Sequence, residues 1–440
     1  MFLPSECVLE RRVRSDGDLD LSDKNLQLLM LKCEDRKADG YEGKEVEIHN
    51  ERVKKMNIGV RLAAAPPPAA SYLVILGARL FAKIVAVDET VVVIMLGFTG
   101  DGGRMSYLVY DAVALSLRMI PPPDRGSNLS IARGASSSCA LVVHTTGVLA
   151  GTKYGASLRL WQPSSSSRPW SKFKKYSLTG RIDWSAIRID TEFSFKGHAY
   201  WVDLLCGVSY CSCDAVLDDD DNSNPVEFGF IPLPSEARGN HRNYKRVALP
   251  VAYRAMGAAG DSLIRFVSIN GFQEHVEHKD RTVTVWKLLG HGGKQVQGWE
   301  KKHELSLETL WGYQGFGDVP KDLTPMYPLL STKDADVVYL ALGEFYENLY
   351  KKKFYPRTAR YLLAVDMRNK TVASVPLARS MFDAFVSCGF SRRLRKALVG
   401  PCDDEGIPLR GNGGNVVAEA PVPMKKKKLR RREGNVVEQA

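Results

Sequence analysis

The sequence has no long uninterrupted run of apolar residues. Its most apolar region, residues 72–98, is broken by Arg79, Lys83, Asp88 and Glu89, so it indicates core β-strands and not a membrane span. The first sixteen residues contain no apolar stretch of signal-peptide length, and cysteine is sparse, with eight in 440 residues. Both features are typical of reduced thiols inside a cell. We therefore expect an intracellular protein of the nucleus or cytoplasm, with no membrane partner.

The sequence also lacks the short motifs of the commonest active sites. The glycines of residues 97–103 lead into Arg104-Met-Ser and not into the Gly-Lys-Ser/Thr ending of a phosphate loop. Residues 274–278, Glu-His-Val-Glu-His, match neither orientation of the metalloprotease motif and predict a polar turn. His198 is interpreted as a core histidine. The sequence predicts no catalytic residue, no cofactor and no metal ligand, so we expect a protein that is not an enzyme.

Three cysteines and four aspartates in the middle of the chain invite a metal-site interpretation. Cys206, Cys211 and Cys213 do not form the Cys-x-x-Cys pairs of a zinc site, and strand alternation puts the last two on one face. They are predicted to be buried structural thiols. The run 218–221 fails as a calcium loop because Ser223 stands where glycine is required. It predicts a solvated loop tip.

Two kinds of hairpin recur along the chain. Residues 107–121 and 361–376 each combine a strand that ends in aspartate with a second strand that ends in proline ten positions later. Residues 210–232 form a third copy, in which the interval is eighteen because of the acidic insertion. Residues 158–178 and 282–307 each pair a strand closing on tryptophan with one opening on tryptophan. Such alternation is typical of antiparallel hairpins.

The spacing of these units predicts the fold class. Five markers stand 50, 53, 72 and 80 residues apart: Asp111, Trp161, Asp214, Trp286 and Asp366. Similar short hairpins at such intervals predict an all-β fold, a β-propeller-like array of about five or six blades. We assign residues 58–396 to this domain, with a short helix after Pro376. Residues 1–57 are predicted to be a charged, poorly ordered arm, and residues 397–440 a disordered basic tail.

The tail carries the most specific functional signal. The net charge is +11, but seven of the positive charges lie within eight residues. Without them 54 basic residues face 50 acidic ones, so no specific nucleic-acid binding is expected. A basic segment after Pro421-Val-Pro423 suits the acidic groove of a nuclear import receptor. The predicted localisation residues are Lys425, Lys426, Lys427, Lys428, Arg430, Arg431 and Arg432.

Several segments of the predicted β domain carry a family resemblance. Residues 195–203, 207–214, 230–234, 299–305 and 325–331 resemble the grass-expanded plant family known as domain of unknown function 1618, and the resemblance spans roughly residues 58–395. It implies a plant origin but no reaction. The Tyr-x-x-x-Asp and Ile-Pro hairpins are also similar to the F-box-associated propellers of plant ubiquitin-ligase adaptors.

The resulting functional expectation is a non-catalytic protein-interaction module that binds an unknown protein partner. Propellers present loops to partners without catalytic residues. Two alternatives stay open. One is substrate recognition for a ubiquitin ligase, and the other is an enzyme whose site lies in the propeller channel, assembled from residues distant in sequence.

Overall fold

The computed structural model describes residues 7–15, 18, 28–62, 70–88, 90–99, 104–122, 128–133, 139–147, 155–161, 170, 172–178, 189–217, 226–238, 249–259, 263–271, 276–290, 298–348, 353–380 and 385–388. The chain divides into two units, Met1–Gly400 and Pro401–Ala440. Every described residue belongs to the first unit. Within this part of the chain no helix is long and apolar enough to span a membrane.

The described residues are mostly β-sheet, with three α-helices: α1 (Lys44–Lys55), α2 (Cys213–Leu217) and α3 (Leu307–Trp311). The strands are β1 (Cys7–Glu10), β2 (Arg12–Ser15), β3 (Leu29–Met30), β4 (Asp35–Ala38), β5 (Asn57–Arg61), β6 (Ala70–Leu76), β7 (Leu80–Val87), β8 (Val91–Phe98), β9 (Met105–Asp111), β10 (Ser116–Ile120), β11 (Asn128–Arg133), β12 (Cys139–Gly147), β13 (Gly155–Trp161), β14 (Lys172–Leu178), β15 (Thr191–Phe195), β16 (His198–Asp203), β17 (Gly207–Ser212), β18 (Val226–Pro232), β19 (Arg254–Ala259), β20 (Leu263–Asn270), β21 (Thr282–Leu289), β22 (Gly298–Ser306), β23 (Thr324–Leu330), β24 (Val337–Asn348), β25 (Lys353–Asp366), β26 (Thr371–Ser380) and β27 (Phe385–Cys388).

One unit of topology recurs, four strands that pair antiparallel in chain order. It comprises β7–β10, β11–β14, β15–β18, β19–β22 and β23–β26. The second and third copies share an eight-stranded sheet because β14 pairs in parallel with β18. The first copy lies in an eleven-stranded sheet of order β27-β1-β6-β2-β7-β8-β9-β10-β4, to which β5 and β3 are attached. The mostly β-sheet character of the predicted fold is thereby confirmed.

The first strands of consecutive units contact one another. These contacts join β7 to β11, β11 to β15, β15 to β19, and β19 to β23. The first strand of the last unit, β23, contacts β27. Strand β27 pairs with β1, β1 with β6, β6 with β2, and β2 with β7. The series of contacts therefore returns to the strand at which it began.

Apolar side chains fill the space between consecutive sheets. On β16, Ala199 and Trp201 pack in a cluster with Val142 of β12, whereas Tyr200 and Val202 pack in another with Phe266 of β20. Both faces of this strand are therefore covered. This arrangement explains why the central strands are continuously apolar instead of alternating with polar residues.

The predicted hairpins at residues 107–121 and 361–376 are confirmed, and their aspartates have a common role. Oδ1 of Asp111 accepts hydrogen bonds from the backbone N–H groups of Val113 and Ala114, at 2.8 and 3.0 Å. Oδ1 of Asp366 accepts from the residues two and three positions later, at 3.0 and 2.8 Å. An aspartate that bonds the backbone ahead of it fixes a tight turn. These residues therefore shape the β9–β10 and β25–β26 hairpins.

Three sequence expectations are corrected by the structure. Of the predicted arm, residues 7–15 and 28–57 form most of β1–β5 together with α1. The helix expected after Pro376 is replaced by the continuation of β26 and by strand β27. In the third hairpin copy, Cys213 begins α2 and does not continue the strand of Cys211. The predicted tail and the acidic run 218–221 lie outside the described residues.

Strand β4 and helix α1 are charged because they lie at a sheet edge and on the surface. Strand β4 buries only Ala38 and pairs in parallel with β10. Helix α1 carries acidic residues in its first turn and basic residues in its last turn, an order that favours the helix dipole. Its buried anchor is Val53. In these two elements a charged composition therefore conceals an ordered element with one buried apolar residue.

Candidate functional site

A cleft of about 610 Å³ opens beside the first four-stranded unit, where β2 pairs with β7. Its wall combines an aromatic ring, basic side chains, hydroxyl groups and apolar residues. The lining residues are Arg12, Val13, Ser15, Asp18, Arg79, Leu80, Phe81, Ala82 and Thr99. A concave wall of this composition can hold a ligand that has both apolar and charged groups.

Phe81 is the principal apolar group of this cleft. Strand alternation buries its neighbours Leu80 and Ala82 and leaves 58% of Phe81 exposed. Its cross-strand partner on β8 is Gly97, and the Met105 side chain lies over that glycine, with its Sδ 3.1 Å from where a Cβ would stand. An exposed phenyl ring can contact an apolar group of a partner.

One side of the cleft is fixed by Asp18. Its carboxylate accepts hydrogen bonds from the backbone N–H and the hydroxyl of Ser15, at 2.9 and 3.1 Å. Nη2 of Arg12 lies 2.7 Å from its other oxygen. The Ser15 backbone N–H, with the nearby Arg12 charge, holds the pKa of Asp18 below its usual value. Asp18 is therefore an ionised anchor for Arg12.

The opposite side of the cleft is basic. Arg79 is exposed, and its backbone carbonyl accepts a hydrogen bond from the Thr99 hydroxyl at 3.1 Å. Its guanidinium has no ion-pair partner within the described part of the chain. Lys83 lies across the β2–β7 ladder from Arg12. The Arg79 charge is thus available at the rim beside Phe81, whereas the Arg12 charge is paired with Asp18.

A second candidate site contains Glu192 of β15 and Arg11, which lies between β1 and β2. Glu192 of β15 retains some accessible surface, yet burial raises its carboxyl pKa to about 7 against the opposing charge of Arg11. Arg11 stands between β1 and β2, and its carbonyl accepts from the N–H of Ile84 at 2.7 Å. Glu192 in turn contributes to the raised pKa of Tyr107, for which burial is the main cause. This carboxyl can exchange a proton near neutral pH.

The predicted thiols are buried where the sequence placed them. Cys211 and Cys213 are buried, Cys206 is half-buried, and none of the three is in a disulfide. Burial raises the pKa of Cys206 to about 11 and also raises that of Cys211. Among the described residues no group of three potential ligands could hold a metal ion. Cys211 and Cys213 are packing residues of one apolar cluster, and the Cys206 and Cys211 thiols are protonated at neutral pH.

The other sequence candidates do not form one site. His198 lies partly exposed on β16, and its Nδ1 is 3.1 Å from the Lys196 carbonyl. His278 lies in a short 3-10 turn, and burial lowers its pKa. The localisation residues 425–432 are outside the described part of the chain.

A buried ionic cluster joins the last two four-stranded units. Asp336 lies 3.2 Å from Arg265, 3.3 Å from His303 and 2.7 Å from Arg368. Although burial opposes ionisation, the His303 hydrogen bond and the two arginine charges hold the pKa of Asp336 below its usual value. The acid contacts Arg265 of β20, His303 of β22 and Arg368 of the β25–β26 turn, so the cluster is a structural connection between two sheets.

Sequence reasoning missed the residues that define both sites. Phe81 carried one local signal, the exposed position in the alternation of residues 79–83. Glu192 and Arg11 lie 181 positions apart in the sequence, and no periodicity links them. Only the contacts between sheets bring them together.

The described residues define a mostly β-sheet protein of repeated four-stranded antiparallel units. Within it, residues 201–339 match the family described as "Protein of unknown function (DUF1618)", and the predicted family resemblance is confirmed over those residues. The match runs from β16 to the start of β24. No curated protein matches the chain in sequence.

The chain also has distant similarity to solved structures. A novel fungal alcohol oxidase of the AA5 family in complex with copper is 11% identical, with a TM-score of 0.34, and the match covers 67% of this chain and 53% of that one. A Mycobacterium tuberculosis puromycin-hydrolyzing peptidase is 11% identical, with a TM-score of 0.30 and coverage of 68% and 38%. Bacillus subtilis levansucrase is 8% identical, with a TM-score of 0.28 and coverage of 68% and 84%. At these TM-scores the similarities carry no functional conclusion.

Proposed function

We propose that the protein is a non-catalytic protein-interaction module built as a six-bladed β-propeller. Five blades would be the five four-stranded units. Strands β27, β1, β6 and β5, which pair in that order, would form the sixth. The contacts between consecutive first strands support a central channel, since a propeller arranges its blades around such a channel.

The exposed ring of Phe81 in its cleft is the observation that carries the interaction function. A large apolar side chain held open on a rigid strand costs solvation free energy that a partner recovers on binding. The surrounding arginines suit an interface, because arginine and aromatic residues are enriched at interface cores. We assign this cleft as the primary contact surface for a protein partner.

The test compares Phe81→Ser with Val113→Ser. Val113 is an equally simple control, because it is 68% exposed in the β9–β10 hairpin and outside the cleft. A protein partner is first purified together with the tagged wild-type chain and then isolated. The isolated partner should bind the wild type and Val113→Ser with equal affinity. Its affinity for Phe81→Ser should be at least about tenfold lower. Equal binding to both variants would overturn the assignment.

A second candidate function is an enzyme that uses Glu192. The observation that favours it is a carboxyl whose pKa of about 7 suits general acid–base chemistry. A panel of ester, glycoside and phosphate substrates, tested with the wild type and Glu192→Gln, decides the matter. Turnover that depends on Glu192 would support the enzyme, and turnover unchanged by the substitution would refute this role.

Substrate recognition for a ubiquitin ligase is a narrower form of the interaction function. The similarity of the hairpins to F-box-associated propellers supports it. Affinity purification from plant tissue should then recover a Skp-type adaptor or a cullin. Recovery of neither protein would remove this form of the proposal and leave the interaction function in place.

Nuclear import through the basic tail is proposed separately. Seven positive charges lie between Lys425 and Arg432, and such a run fits an acidic receptor groove. A fluorescent fusion should lose nuclear enrichment when these residues become alanine. An unchanged distribution would refute the import signal.

A further inference from the structure

The hairpin of β24 and β25 extends beyond its four-stranded sheet. Strand β23 pairs with β24 only as far as Gly343, and β26 pairs with β25 only from Ala359 onward. Among the described strands, residues 344–348 and 353–358 therefore pair with each other alone. They form a two-stranded ribbon, and each outer edge of such a ribbon presents backbone N–H and C=O groups that can pair with a further strand.

The outer edge of β25 is protected against such pairing. The ladder shifts register between Glu344 and Phe345 because β25 has one extra residue there, Arg357. Arg357 is exposed, and the neighbouring Pro356 has no N–H to donate to a further strand. A bulge, a charged residue and a proline are features that proteins place on strand edges to prevent association.

The outer edge of β24, residues 344–348, has neither the bulge nor the proline. The charge of Glu344 is paired with Arg360 of the same chain. Tyr346 is 46% exposed, and its ring centroid lies 5.6 Å from that of Tyr355, its partner across the ladder. The β24 edge therefore combines pairing capacity with an exposed aromatic side chain, a combination that favours strand addition.

A second copy of the chain fits the β24 edge in one register. Two identical antiparallel strands are related by a two-fold axis. Neighbouring residues of a strand point to opposite faces, so the axis has to pass beside one residue and not between two. The residue at the middle of the β24 edge is Tyr346. This register places Glu344 opposite Asn348. It places Phe345 opposite Glu347, so no acid lies opposite an acid.

A shift of the axis by one residue is unfavourable in either direction. An axis at Phe345 would bring in Gly343, whose outer side is already occupied by β23. An axis at Glu347 would place two glutamates directly opposite each other, and like charges in that position destabilise a strand pair. The length and the charges of the β24 edge thus both favour Tyr346 as the centre.

We propose that the chain forms a symmetric homodimer in which the β24 edges of two copies pair antiparallel about a two-fold axis at Tyr346. The two four-stranded sheets then join into one continuous sheet. Tyr346 of each copy lies between Tyr355 of its own chain and Tyr346 of the other, so the four rings form one row. The contact is short, so the dimer belongs to the weak and transient class of interfaces.

The test measures the association of the full-length chain by sedimentation velocity over a wide range of micromolar concentrations. The wild type should change from monomer to dimer as its concentration rises. Tyr346→Lys removes the ring contact and places two lysines opposite each other, so its dimerisation Kd should be at least about tenfold higher. Val113→Lys is the matched control, because Val113 is 68% exposed and lies in another four-stranded unit. It should dimerise like the wild type.

A mixture of two variants tests the register directly. Tyr346→Lys and Tyr346→Glu should each associate weakly alone, because each places like charges opposite each other. An equimolar mixture should associate more strongly than either variant, since lysine then lies opposite glutamate. A loss of folding cannot produce this rescue, and only a residue that lies opposite its own copy gives it.

Three outcomes would overturn the homodimer. The first is a wild type that stays monomeric at every concentration. The second is a dimer that Tyr346→Lys leaves unchanged, or one for which the mixture gives no rescue. The third is a monomeric wild type with a purified protein partner that loses affinity for Tyr346→Lys, which would assign the β24 edge to that partner. None of these results bears on the Phe81 cleft, which Phe81→Ser tests separately.

Discussion

At the residue scale, Glu192 makes stability depend on pH in an unusual direction. Its pKa rises from 4.5 to about 7 on folding because burial disfavours the carboxylate. The folded chain therefore holds a proton that the unfolded chain has released between these two pH values. Ionisation of this group lowers the free energy of unfolding as the pH rises from about 4.5 through 7.

Glu192→Gln should remove that penalty. The glutamine stays neutral, so the variant should be more stable than the wild type at pH 8, and the difference should shrink toward pH 4. Urea denaturation at both pH values measures it. A constant difference across this range would show that Glu192 does not titrate as inferred.

Gly343 is required by a close backbone approach. A Cβ at this position would overlap the carbonyl oxygen of Thr358, where the β24–β25 ladder shifts register. Gly343→Ala should destabilise the chain by about 1–3 kcal/mol, as overpacking does. Gly257→Ala in β19 is the matched control, because nothing lies within 4 Å of its Cβ. Equal unfolding midpoints in urea for the two variants would contradict this explanation.

At the element scale, Asp336 should hold two sheets together. The Arg265 and Asp336 side chains are 5% and 13% exposed, so Asp336→Asn leaves the buried Arg265 charge without its carboxylate. We expect a loss of about 3 kcal/mol in the free energy of unfolding, since the remaining charge stays desolvated.

Arg368→Gln is the control for that substitution. Arg368 binds the same carboxylate but is 76% exposed, and an exposed pair contributes only about 0–1 kcal/mol. Chemical denaturation of both variants at neutral pH decides the question. If the two substitutions cost the same, burial is not what gives the Asp336 cluster its strength.

At the scale of the whole molecule, the N-terminal strand β1 pairs with β27, the last described strand. Leu9 is fully buried, and its partner Val386 packs in the same apolar cluster. A chain shortened after Ser380 loses β27 and should be destabilised by about 2 kcal/mol or more, from lost apolar burial alone.

The control for this truncation is a chain that ends at Gly400. It keeps every described residue, so its thermal midpoint should equal that of the full chain. Thermal unfolding followed by circular dichroism compares the two. If the shorter chain melts at the same temperature as the control, β27 does not contribute to closure.

The sequence by itself determined the local structure. The hairpins at residues 107–121 and 361–376, the buried thiol Cys211, and the mostly β character followed from alternation and turn residues. These signals act between neighbours in the chain, where one or two side chains decide the conformation. The localisation residues of the tail and the identity of a partner remain predictions.

Only the tertiary structure decided how the units join and where the candidate sites lie. Charged segments of the predicted arm became strands because edges supplied by β6 and β7 satisfy their backbone groups. The helix expected near residue 385 became β27 because β1 offers it a partner. Pairings between residues hundreds of positions apart depend on the faces that distant sheets present, and a one-dimensional pattern does not record those faces.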